Sequence, residues 1–187
     1  MATAPLVRNS KTRLHDRGTW SSRDDRIASA VWLGVFLVGT IAGFGVDIRG
    51  FLHSNPPWPQ VVYYHAAVFI VWVLLLTTQV LFVVGDRVAW HRNLGWFMVG
   101  WACLMAVMGP WAAIASFVVN LHTPANDPPP FFSVNIVDIA GFLILVAWAI
   151  ALRKNPAAHK RLMLLATVSL ADPGFARFSE FFLPNPA

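Results

Sequence analysis

The chain has 187 residues, of which 57% are hydrophobic and 12% charged, with a mean hydropathy of +0.57. Soluble domains carry about twice that share of charge, so the composition argues against a water-soluble enzyme. The net charge of +5 does not mark a nucleic-acid binder, because the basic residues lie in tails and loops between apolar runs. Cys103 is the single cysteine and sits within an apolar run, which excludes an intrachain disulfide.

Residues 1–26 form a basic tail with Arg8, Lys11, Arg13, Arg17, Arg23 and Arg26 and no apolar core. Residues 27–187 read as one all-α membrane domain. A bilayer core needs about 20 apolar residues in a helix. Five segments meet that length: about 27–46, 61–84, 94–119, 131–152 and 161–183. The first reads as a retained signal anchor, peripheral to a four-helix core made by the other four. The last is interrupted by Asp172, Pro173, Arg177 and Glu180.

The basic residues set an orientation. Twelve of the fourteen Lys and Arg fall on one side, in the tail, the loop 85–93 and the stretch 153–161. That bias predicts a cytoplasmic N-terminus, and five crossings predict a periplasmic C-terminus in a bacterial inner membrane. The opposite loops are stiffened by Pro56, Pro57 and Pro59, and by Pro124 and Pro128 to Pro130. Two small-residue patterns predict close helix packing. One is Gly39-x3-Gly43. The other is the seam of Gly95, Ala102, Ala106, Gly109, Ala113 and Ser116, next to Pro110.

Polar side chains are costly in hydrocarbon and turn toward partners in the bundle interior. His65, Trp72 and Gln79 are seven apart and define one stripe of the second helix. Two constellations follow. The outer one gathers His65, His122, Asp138, Arg177 and Glu180. The inner one gathers His91 and His159, each at the start of a helix, with Gln79, Arg92, Lys160 and Arg161. The inner runs His91-Arg92-Asn93-Leu94 and His159-Lys160-Arg161-Leu162 are alike, which suggests two helical hairpins related by an axis along the membrane normal.

Two histidines at one depth on different helices suit axial ligation of a haem iron. His91 and His159 are the candidate pair, with Arg92, Lys160 and Arg161 for the propionates. His65 and His122 are candidates for a second haem. The plain alternative is that the inner basic residues only hold lipid phosphates. A metal site of His65, His122 and Asp138 is a further candidate, since three ligands and an open position suffice. No H-E-x-x-H, paired CxxC, G-x-S-x-G or phosphate-binding glycine loop is present.

The run His65-x6-Trp72-x6-Gln79, then His91-Arg92-x-Leu94-Gly95 and His159-x-Arg161-Leu162-Met163 with Arg177 downstream, resembles a group of bacterial multi-pass membrane proteins of unknown function. The likeness spans about residues 61–180. A more distant likeness is to transmembrane b-type cytochromes, and it implies helix-borne histidines holding haem b. His65, His91 and His159 match three such positions. His122 departs, lying beyond its helix, and the fourth helix carries no histidine. The reading is therefore a haem-binding protein moving electrons to or from a quinone or protein partner. The alternatives are a non-catalytic subunit or assembly factor of a membrane complex, or a metal-dependent enzyme with its site facing the periplasm.

Overall fold

The computed structural model describes residues 22–55, 57–121 and 132–182, the side chains at 22–26, 47, 120 and 178–182 excepted. Among them are six helices and no strand: α1 (Ser22–Leu52), α2 (Gln60–Val84), α3 (Val88–Leu121), α4 (Phe132–Ala151), α5 (Pro156–Ser169) and α6 (Asp172–Phe182). The first four contain segments long and apolar enough to cross a membrane. Their outward faces carry Val38, Ile41, Leu81, Trp96, Val137 and Ile144, each more than 60% exposed. An apolar surface on that scale fits hydrocarbon surroundings.

The fifth predicted helix, 161–183, is in two pieces. Pro173 lacks an N–H and disfavours helical backbone in the residue before it. The chain accordingly leaves α5 after Ser169 and starts α6 at Asp172. At 14 and 11 residues, each piece is shorter than the roughly 20 residues a crossing requires.

The predicted loop 85–93 is also corrected. Only residues 85–87 separate α2 from α3, and His91 lies within a helix. The Asp86 N–H donates to the Val83 carbonyl, and the Arg87 N–H to the Phe82 carbonyl at 2.7 Å. Asp86 takes a positive φ of 57°. Together these make a Schellman-type C-cap with aspartate in the place glycine usually fills. The turn is therefore tight, and α3 begins six residues earlier than hydropathy suggests. Proline does not break α3, which runs through Pro110.

The core centres on α2, α3 and α4. Trp72 of α2 is 1% exposed and meets Phe142 of α4 edge-on, with centroids 5.0 Å apart. Met98, Ala102, Met105 and Ala112 form the buried face of α3. The Trp101 indole N–H donates to the Val68 carbonyl at 3.0 Å, tying α3 to α2. The stripe predicted on α2 does turn inward: Trp72, Leu76 and Gln79 are buried there. In the α3 seam, Ala102 is buried and Gly109 abuts Ile139 of α4.

The helices pair as α2 with α3, α4 with α5, and α1 with α6. The Gly39-x3-Gly43 motif explains the last pairing. A Cβ on Gly43 would collide with the Gly174 carbonyl, and one on Gly39 with the Phe175 ring. The two glycines thus form the seat on which α6 rests. Arg177 of α6 completes the clasp, its guanidinium 5.1 Å above the Phe44 ring.

Two stability measurements check these contacts. Gly43→Ala forces a methyl group onto backbone, an overpacking cost of about 1–3 kcal/mol, and it lowers the melting temperature in detergent. Gly45→Ala, with nothing within 4 Å of the added Cβ, leaves that temperature unchanged or raises it. Asp86→Gly relieves the left-handed conformation and raises stability by up to about 1 kcal/mol.

Candidate functional site

The inner constellation assembles around two helix starts. His91 is the fourth residue of α3 and His159 the fourth of α5. Their backbone N–H groups close the first turns, His91 onto the Arg87 carbonyl at 3.1 Å and His159 onto the Asn155 carbonyl at 2.9 Å. The two hairpins thus deliver both histidines at the same helical register. Asn155 fixes the second start: its side chain accepts from the Ala158 N–H at 3.2 Å, and Pro156 follows at the first helical position.

The two imidazole rings have centroids 6.3 Å apart and planes at 85°. His159 Nδ1 is 2.8 Å from the Ala149 carbonyl. A carbonyl only accepts, so Nδ1 carries the proton and Nε2 keeps its lone pair. This bond also satisfies a carbonyl in the last turn of α4, where the helix has no N–H of its own to offer. Because a backbone carbonyl fixes the ring, His159 is held in one tautomer and one orientation.

His91 is half-buried. The Gln79 backbone carbonyl lies against its ring and the Arg92 guanidinium is within electrostatic reach. Its Nδ1 is buried without a hydrogen-bond partner, as is Gln79 Oε1. One turn along α3, Gly95 leaves room beside the Gln79 amide, whose nitrogen would stand 3.6 Å from a Cβ there. Arg153 reaches over Trp96 at 6.0 Å, linking the α4–α5 turn to α3. Lys160 and Arg161 face elsewhere, into a cavity between α1 and α5.

The outer constellation does not gather as expected. His65 sits at the α2–α3 boundary, its ring stacked 4.1 Å from Phe69 and against the Met108 carbonyl. Its Nδ1 is buried without a partner. Asp138 instead lines a cleft with Asp172 and Phe175, at the break between α5 and α6. Arg177 donates to the Pro173 carbonyl at 2.9 Å and covers Phe44. His122 and the Glu180 side chain lie outside the described residues. Among the described residues no three His, Cys, Asp or Glu stand at metal-binding spacing. The sequence reading missed the Ala149 carbonyl, for which hydropathy gives no signal, and the Asn155-Pro156 cap, a helix-start signal that the sequence does carry.

No protein-family model, curated protein or solved structure matches the chain.

The Ala149 bond yields a measurable contribution. His159→Leu strands a buried carbonyl at about 1–3 kcal/mol. Melting temperature should fall by about 2–4 °C per kcal/mol for a chain of this size. His159→Asn places an amide N–H near the position of Nδ1 and recovers most of the loss. Thermal unfolding of the three proteins in one detergent reads the difference.

Proposed function

We propose that this chain is a multi-pass membrane protein that binds haem b between His91 and His159 and carries electrons through it. The observation that supports it most is the separation of the two rings together with the anchor on one of them. Two metal–nitrogen bonds of about 2.0–2.1 Å set ligand nitrogens about 4 Å apart, and roughly an ångström for each ring brings the centroids to about 6 Å. The observed 6.3 Å agrees. Imidazoles on opposite sides of an iron rotate about a shared axis, so planes at 85° are compatible with the pair.

The chain's own groups supply what a ligand pair requires. A histidine ligand usually donates its other N–H to a carbonyl or carboxylate, and His159 does so to Ala149. His91 offers a buried nitrogen, Nδ1, without a hydrogen-bond partner. Arg92 stands beside it as a cation for a propionate. When bound, haem supplies one-electron chemistry at its iron. The protein orients the ligands, balances the propionate charge and excludes water. His65, with a carbonyl against its ring and an unpartnered nitrogen, is a candidate ligand for a second haem.

In this reading α1 to α4 cross the membrane and α5 with α6 makes a fifth, broken passage. Breaks of this kind persist where protein rather than lipid surrounds them. The positive-inside bias puts the histidine pair at the cytoplasmic end.

The test is the visible spectrum of protein purified from haem-supplemented cells. The expected result is a Soret band stoichiometric with the chain. His91→Ala and His159→Ala abolish it, and His15→Ala leaves it intact. His159→Asn separates the two roles of that ring: stability stays close to wild type because the Ala149 bond is replaced, yet the band is lost because no Nε2 remains. A colourless wild-type protein overturns the haem assignment. Zinc or iron without haem, by elemental analysis, turns the reading toward a metal enzyme.

A further inference from the structure

We infer that Gln79 is the positioning residue of His91: its side-chain oxygen accepts the proton of His91 Nδ1 and leaves Nε2 with the lone pair. Two buried atoms of complementary kind carry this. Gln79 is 5% exposed, and its Oε1 has no hydrogen-bond partner. His91 Nδ1 is buried without one as well. The two residues are neighbours. The Gln79 backbone carbonyl lies against the His91 ring. The Gln79 amide nitrogen would stand 3.6 Å from a Cβ at Gly95, one turn after His91. Amide and imidazole each end in a broad sp³–sp² torsion, so a rotation that closes the pair costs little rotamer strain.

The two hairpins show why a side chain takes this role. At the second, His159 meets the carbonyl ten residues before it, that of Ala149. Ten residues before His91 stands Leu81, whose carbonyl already accepts from the Gly85 N–H at 2.9 Å. The tight turn uses the next two carbonyls as well, Phe82 accepting from Arg87 and Val83 from Asp86. The backbone counterparts of Ala149 are thus engaged, and Gln79 Oε1 is the acceptor left over. Other neighbours do not substitute. Arg92, within electrostatic reach of the ring, only donates. The His159 ring, its centroid 6.3 Å away, is beyond direct hydrogen-bond distance.

An imidazole whose Nδ1 donates presents Nε2 to a metal, so both histidines take the same tautomer. A ligand bonded in this way is also the more basic one. The hydrogen bond belongs to the chain alone; its use in holding a ligand rests on the haem reading above.

The experiment separates those two claims. The full chain is made by cell-free synthesis in detergent, without haem and with isotope-labelled histidine. Ring nitrogens are read by NMR at mildly alkaline pH, and His91→Asn assigns the His91 signals. In the wild type, His91 and His159 both carry the proton on Nδ1. Gln79→Met, of similar length but with no acceptor, moves the His91 proton to Nε2 and leaves His159 unchanged. Gln79→Glu, which keeps an oxygen at the same reach, restores the wild-type pattern. A wild-type His91 protonated at Nε2 overturns the proposal, even where Gln79→Met does not fold. His91 signals indifferent to Gln79→Met overturn it too. Haemin added to the same wild-type protein decides the haem reading separately, through the Soret band. Where the band forms, Gln79→Met raises the midpoint potential, because a less basic ligand favours the reduced iron. An unchanged potential overturns Gln79 as a ligand-positioning residue. A colourless protein whose His91 tautomer depends on Gln79 removes the haem reading and keeps the hydrogen bond.

Discussion

Hydrocarbon offers no hydrogen bonds, so each polar group of this chain has to find its partner within the protein. The backbone meets most of that demand by being helical. What remains is handled by short side-chain bonds back to the helix: Thr77 to Val73, Thr78 to Leu74 and Thr167 to Met163. Helix ends are harder, because their last carbonyls have no N–H ahead of them. Here the end of α2 is closed by the Asp86 cap. In the last turn of α4, Ala149 is met by a histidine ten residues further on. One bond thus satisfies a helix end, joins two helices and fixes the tautomer of a candidate ligand.

The groups that this accounting leaves over are few, and most of them gather along one helix boundary. The buried unpartnered atoms among the described residues belong to Thr40, His65, Trp72, Gln79 and His91. Three of these lie on the single inward stripe of α2, a fourth, His91, packs against the Gln79 end of it, and the fifth, Thr40, stands apart on α1. A buried polar atom without a partner is a cost that a stable fold seldom carries without reason. Their alignment gives the α2–α3 boundary a polar line through an otherwise apolar interior, with a histidine at each end.

The bundle divides its work between two kinds of pairing. The α2–α3 and α4–α5 hairpins place His91 and His159 at matching register, each on the fourth residue of its helix. The α1–α6 pair is built differently, on backbone contact at Gly39 and Gly43. Toward the N-terminal end the same helix continues its buried face through Phe36, Leu33 and Ser29.

The helical class, the apolar segments and the inward stripe of α2 were legible in the sequence, because burial in an apolar medium imposes a periodicity that single residues cannot hide. The matching register of the two inner histidines was legible because each follows a turn and opens a helix. Other features required the folded chain. The length of the α2–α3 turn depended on a positive φ at Asp86, and the division of the last helix on the local effect of Pro173, which hydropathy does not weigh. Distances between residues far apart in sequence, such as His159 to Ala149 and His91 to His159, depend on how the helices pack. So does the separation of His65 from the Asp138 cleft, since shared depth in a membrane constrains one coordinate and leaves the lateral two to tertiary structure.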